Sequence, residues 1–175
     1  KGMKVAAATR TQAGAVRRLG GAPISLPLPA MYQGLNRGMI DGVIMVWTAF
    51  MPFSLHQVTK HHYDVPFGAT TGMVFMTKKS YAALPAAGRQ AIDENSGLKF
   101  SQKFGKFMDG INRGSRKAIL RMPGHTYTKM PPEEVTRWRK KMQGVVEQWK
   151  KETVDGAKVL NAWRAELAKI RAKKH

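Results

Sequence analysis

The chain has 175 residues, and its 30 Lys and Arg against only 11 Asp and Glu give a formal net charge of +19 at pH 7. No cysteine is present, which excludes disulfides and thiolate metal sites, and no apolar stretch reaches the roughly 18–20 residues of a membrane span. The apolar fraction of 43% is ordinary and predicts a chain that buries a core.

The first part of the chain alternates short apolar segments with helical ones. Thr9 is a good N-cap, and the Gly20-Gly21 pair is typical of a helix end. The predicted elements are strands at 2–8, 22–28 and 40–47 and helices at 9–21 and 29–37. The order β-α-β-α-β is typical of parallel strands joined by crossover helices, so the predicted fold class is α/β.

The third of these strands follows an acidic turn. Asp41 and Gly42 predict a structural turn, in which the carboxylate accepts backbone N–H groups. Asp41 is also the only acid among the first sixty residues, so this region offers no carboxylate pair for acid–base catalysis. The strand ends at Trp47, and ligands bind at the carboxyl ends of strands in open α/β sheets.

The second part of the chain reads as mostly helical. We expect a helix from near Pro52 through His62, a strand through Phe75, and then either one long helix over 85–122 or two helices joined near Ser96. A short strand at 125–130 and two amphipathic helices, from Pro131 and from near Asp155, complete the chain. This change of character predicts a division into segments 1–84, 85–123 and 124–175.

The remaining chemistry points to binding and not to catalysis. His61 and His62, as neighbours on a helix, would point about 100° apart and not share a metal. We find no HExxH, phosphate loop or nucleophile elbow, so the sequence predicts no enzyme, no metal site and no cofactor. An alternative from another class is a basic module that binds nucleic acid or an anionic surface. Because the aromatic residues lie on apolar helix stripes and do not alternate with the charges, we expect no nucleic-acid partner.

Four blocks of sequence carry a family resemblance. They are KGMKVAAATR, LGGAPISLPLPAMYQGLNRGMIDGVIMVW, VFMTKKSYAALPAAGRQAID and MPPEEVTRWRKKMQ. In this order and spacing they resemble the solute receptors of tripartite ATP-independent periplasmic (TRAP) transporters, of the dicarboxylate-receptor type. The resemblance implies the second lobe of a type II periplasmic-binding-protein fold, with a parallel-rich sheet and long C-terminal helices.

The resemblance also implies a function and partners. It implies periplasmic capture of a small organic acid and delivery to the membrane subunits of a TRAP permease. Relatives of this type are nearly twice as long, and the chain begins at Lys1 without an initiator Met, so we expect a signal peptide and an N-terminal lobe upstream. The long helix over 85–123 would contact that lobe. In its absence we expect the apolar stripe of this helix to allow self-association.

The expected ligand site departs from the family pattern at Ala6. Relatives carry an arginine there, which clamps the substrate carboxylate in a bidentate pair. Arg10, beside Thr9 at the start of the first helix, matches an arginine in one branch of the family. Arg10 either takes over the clamp or is a surface residue, and both interpretations stay open.

The apolar wall of the expected site is also implied by the resemblance. Leu28, Met45 and Trp47 stand where polar groups are common in relatives. These side chains favour a larger or more apolar ligand than a simple dicarboxylate, such as an aromatic or aliphatic monocarboxylate. Trp47 is either a stacking face in the cleft or a core residue.

Overall fold

The structure is a computed structural model that describes residues 2–65 and 72–172. The strands in these ranges are β1 (Lys4–Ala7), β2 (Ala22–Ser25), β3 (Gly42–Val43), β4 (His61–Asp64) and β5 (Thr126–Lys129). The helices are α1 (Arg10–Arg18), α2 (Leu28–Asn36), α3 (Leu55–Val58), α4 (Lys78–Ala82), α5 (Ala86–Glu94), α6 (Gly97–Leu120), α7 (Pro132–Glu152) and α8 (Gly156–Ala172), with a 3₁₀ turn at Trp47–Ala49. The predicted α/β class is confirmed.

Strands β1, β2 and β3 form a parallel sheet with β1 in the middle. The strand order is β2-β1-β3, and Ala6 pairs with Ile24 on one side and Val43 on the other. Helix α1 connects β1 to β2, and α2 connects β2 to β3. The predicted parallel strands with crossover helices are therefore present.

The chain divides into two compact units. The first comprises Lys1–Ile44, Tyr63–Val65 and Thr128–His175, and the second comprises Met45–His62 and Pro66–Tyr127. Strands β4 and β5 contribute residues to both. The three segments predicted from sequence character, 1–84, 85–123 and 124–175, stay a prediction about domains.

The first unit has its core where α1 and α7 meet the sheet. The buried apolar residues there are Ala6, Ala7, Ala15, Val16, Met31, Ile40 and Val145. Helix α1 packs directly on α7 at Gly14, where a Cβ would lie 3.6 Å from a Val145 methyl carbon, an ordinary van der Waals distance. Arg18 then donates to the Gly144 carbonyl at 3.0 Å. Close packing of small and branched side chains holds α1 against α7.

Asp41, in the turn before β3, forms hydrogen bonds to the start of the central strand β1. Its Oδ2 accepts from the Lys4 backbone N–H at 2.7 Å, and its own N–H donates to the Lys4 carbonyl at 2.7 Å. The side chain thus satisfies a donor at the start of β1 for which the two-residue β3 offers no further carbonyl.

The second unit is built around α6 and the 3₁₀ turn. Its buried apolar residues include Phe50, Leu55 and Ile119. Helix α5 ends at Glu94 and α6 begins at Gly97, whose φ of +71° suits glycine. Of the two predicted arrangements, the structure has two helices joined at Ser96-Gly97.

Three predicted elements were wrong. The strand over 40–47 is reduced to Gly42–Val43, which pair with Val5 and Ala6 of β1. Residues 72–77 carry no helix or strand, and 66–71 lie outside the described residues, so the strand through Phe75 is not found in the part that is described.

The third correction concerns the helix predicted through His62. Helix α3 ends at Val58, where Thr59 turns extended and its Oγ1 donates to the Leu55 carbonyl at 2.7 Å. His61 and His62 lie on β4 instead. The Thr126 N–H donates to the Lys60 carbonyl, and the Met130 N–H donates to the Asp64 carbonyl. Residue numbers therefore increase in the same direction on both strands, so β4 and β5 run parallel.

Candidate functional site

A pocket opens in the first unit at the carboxyl ends of β1 and β2, beside the start of α1. Its volume is about 330 Å³. The residues that line it are Ala7, Ala8, Thr9, Arg10, Ala13, Arg17, Pro23 and Ser25. This is the edge of a parallel α/β sheet where ligands bind.

The sequence Thr9-x-x-Gln12 shapes the helix start at this pocket. Thr9 Oγ1 accepts from the Gln12 N–H at 3.1 Å, and Gln12 Oε1 accepts from the Ala8 N–H at 2.9 Å. This pair is a variant of the capping box, with the return bond one residue before the cap. The next amides, of Arg10 and Thr11, belong to the first turn and have no acceptor within the helix. The helix therefore presents N–H groups and the positive end of its dipole to the pocket.

Two arginines add formal charge to the same pocket. Arg10 and Arg17 are both exposed and lie seven residues apart on α1, which is about two turns and brings them to one face. No carboxylate is among the eight lining residues, all of which the structure describes, while Thr9 and Ser25 supply hydroxyls. The pocket thus offers cations, hydroxyl groups and a helix N-terminus to an anion.

The predicted site residues divide between the units. Thr9 and Arg10 line the pocket, whereas Leu28, the half-buried first residue of α2, does not. Met45 and Trp47 belong to the second unit, and both are half-buried. The Trp47 ring contacts those of Phe50 and His62 at centroid distances of 5.3 Å and 5.1 Å. That these five residues share one ligand site stays a prediction.

Sequence reasoning missed two polar residues of the pocket. Arg17 carried a usable signal, since its seven-residue spacing from Arg10 on a predicted helix places both on one face. Ser25 carried none, because its position depends on the pairing of β2 with β1. Ala6 is completely buried in β1 and does not line the pocket.

Neither a metal site nor a membrane helix is found in the part of the chain that the structure describes. Within residues 2–65 and 72–172, no group of three or more His, Cys, Asp or Glu is placed to hold a metal ion. No helix in these ranges combines the length and apolarity needed to cross a bilayer.

The fold and the pocket define a class of protein, the solute-binding proteins with periplasmic-binding-protein architecture. Residues 1–152 match the DctP family, described as bacterial extracellular solute-binding proteins, family 7. The chain belongs to this family.

Solved structures of TRAP solute-binding proteins resemble the chain closely. A Rhodoferax ferrireducens protein in complex with copurified benzoate is 30% identical, with a TM-score of 0.84 over 100% of this chain and 57% of that one. A marine metagenome protein specific for aromatic acid ligands, in complex with metahydroxyphenylacetate, is 27% identical, with a TM-score of 0.85 over 97% of this chain and 55% of that one. The Halomonas elongata ectoine-binding protein, at 19% identity and a TM-score of 0.79, shares the fold over 96% of this chain and 56% of its own length. The chain therefore spans little more than half the length of these proteins.

Proposed function

We propose that this chain forms part of the ligand-binding region of a TRAP-type extracytoplasmic solute receptor that captures a small organic acid for secondary active uptake. The observation that carries the proposal is the pocket at the start of α1, which combines Arg10, Arg17 and first-turn amides and has no lining carboxylate. A carboxylate ligand suits all three groups. The receptor would act in the periplasm, bind without catalysis and deliver its ligand to TRAP permease subunits.

The proposed ligand is an aromatic monocarboxylate. Two relatives above 25% identity are a protein with copurified benzoate and one specific for aromatic acid ligands. In this chain, Leu28, Met45 and Trp47 would supply the apolar wall that packs against the ring, as in other ligand pockets where apolar lining surrounds a few polar anchors. An N-terminal lobe outside this chain would close over the ligand, a hinge motion known from this class of fold.

Arg10 is the proposed carboxylate anchor. Replacing it (Arg10→Ala) in the full-length receptor should weaken benzoate binding in isothermal titration calorimetry by about 2–5 kcal/mol, because a charge-assisted pair to a partly buried carboxylate is lost. Arg10→Lys should also bind more weakly, since an ammonium group cannot form the planar bidentate pair.

Arg37→Ala is the matched control. Arg37 is an exposed arginine at the end of α2 and does not line the pocket, so its loss should leave affinity within error. Equal affinity for benzoate in Arg10→Ala and Arg37→Ala would refute the anchor role of Arg10.

A further inference from the structure

Two histidines of the second unit form a close pair, and neither is among the residues that line the pocket. His62, on β4, is only 7% exposed, and His125 lies just before β5. The His62 Nε2 and His125 Nδ1 atoms are 2.9 Å apart. The planes of the two rings make an angle of only 9°, and the ring centroids are 5.1 Å apart.

The surroundings of this pair are aromatic and basic. His62 contacts the rings of Trp47 at 5.1 Å and Phe50 at 5.4 Å. Lys60 places its Nζ 3.3 Å from His125 Nε2. The charged and titratable groups that lower the pKa values of the pair are Lys60 and His61 from the β4 segment and His56 from α3, all of them basic.

The hydrogen bonds assign the protons of the pair. Lys60 is a donor only, so His125 Nε2 accepts from it and His125 Nδ1 carries the hydrogen. His125 Nδ1–H then donates to His62 Nε2, which is an acceptor. Both imidazoles are therefore neutral in this arrangement, and a proton on His62 Nε2 would place two N–H groups against each other.

We propose that the His62–His125 pair is a proton-sensitive switch that holds the ring of Trp47 at neutral pH and loosens this packing on acidification. The physical basis is repulsion between like charges: an imidazolium at His62 would place its N–H against that of His125, whose ring already contacts the Lys60 ammonium. The switch involves contacts within one unit and does not depend on the identity of the ligand.

The expected direction of titration agrees with this geometry. Burial, then the charges of His125, His61 and Lys60, lower the pKa of His62. Burial and Lys60 likewise lower the pKa of His125. A histidine with a lowered pKa in the folded state binds its proton more readily when the chain is unfolded. The contribution of the pair to the free energy of unfolding is therefore fully present above the unfolded histidine pKa of about 6.5, and it decreases as the pH falls below that value.

Trp47 provides a local readout, because an imidazolium in contact with an indole quenches its fluorescence. The chain has four tryptophans, so the difference between the parent and Trp47→Phe isolates the signal of Trp47. We expect this difference signal, followed from about pH 8 to pH 5, to change with a midpoint below about 6.5. His62→Phe keeps an aromatic ring beside Trp47 but removes the hydrogen bond to His125 and the imidazole that contacts the indole, and it should abolish the transition.

His61→Gln is the matched control. His61 is exposed on the same strand, where its Nδ1 contacts Thr126 Oγ1 at 2.8 Å, and its replacement should leave the transition in place. Imidazole nitrogen NMR of the unmodified protein tests the tautomers without substitution. It should show hydrogen on Nδ1 of both rings at neutral pH. A flat difference signal, a transition that survives His62→Phe, or hydrogen on Nε2 of His125 at neutral pH would overturn the proposal.

Discussion

At the scale of single residues, Asp41 has a structural role that its hydrogen bonds to Lys4 define. It lies between α2 and β3. Its carboxylate accepts from the Lys4 backbone N–H, and its own N–H donates to the Lys4 carbonyl. Lys4 Nζ also donates to the Gly38 carbonyl at 2.9 Å, so the entry to β3 is held from two directions. Hydrogen bonds that bridge 37 residues fix the position of β3 relative to β1.

Replacing Asp41 tests this role. Asp41→Ala should lower the free energy of unfolding by about 1–2 kcal/mol, because the Lys4 N–H loses a charged acceptor. Asp41→Asn keeps a side-chain oxygen and should cost less. The midpoint of urea unfolding measures both changes. Asp109→Ala, at an exposed position on α6, is the control and should change the midpoint little; equal losses in Asp41→Ala and Asp109→Ala would contradict the role.

At the scale of elements, the junction between α7 and α8 brings backbone close to backbone. Helix α7 ends at Glu152 and α8 begins at Gly156, with Asp155 at a φ of +54° between them. Gly156 is buried, and a Cβ there would lie 2.6 Å from the Lys150 carbonyl oxygen. The two helices can turn this sharply because glycine allows the backbones to approach.

The same substitution should therefore have opposite effects at two glycines. Gly156→Ala should destabilise the protein by about 1–3 kcal/mol, since the contact is with backbone and cannot move aside cheaply. Gly110→Ala, in the middle of α6 with no atom within 4 Å of the added Cβ, should stabilise by up to about 1 kcal/mol through helix propensity. Thermal unfolding followed by circular dichroism measures both, and a gain in Gly156→Ala would contradict the packing described.

At the scale of the whole molecule, charge and exposed apolar surface oppose each other. Helix α6 presents Phe104, Phe107 and Ile111 at 38%, 60% and 38% exposure. An apolar stripe of this kind favours association, whereas the net charge of +19 disfavours it. Salt weakens only the repulsion, because charges more than about 10 Å apart are screened at 0.1 M.

We accordingly expect this chain on its own to self-associate more strongly as salt rises. Sedimentation velocity at about 0.01 M and 0.15 M ionic strength should show monomer at the lower value and dimer or larger species at the higher one. Phe107→Ser should reduce the association, while Val154→Ser, at a position that is 89% exposed but lies outside α6, should not. Monomer under both conditions would exclude the stripe as a contact between copies.

Local signals in the sequence determined the β-α-β-α-β order, the α1 cap at Thr9 and the family, and they offered a break near Ser96 as one of two arrangements. Such features depend on neighbouring residues, and helix starts, turns and apolar periodicity are encoded within a few positions. Thr9 and Arg10 were predicted at the site through the family resemblance, because Arg10 matches an arginine in one branch of the family.

Only the tertiary structure decided features that depend on pairing between distant segments. Strand β3 is limited to Gly42–Val43, the two residues that pair with β1, and Ser25 reaches the pocket because β2 pairs with β1. His62 lies on a strand and meets His125 because β4 pairs with a segment some 63 residues away. No short window of sequence contains that partner, so the free energy that favours strand over helix at His62 comes from contacts that exist only in the folded chain.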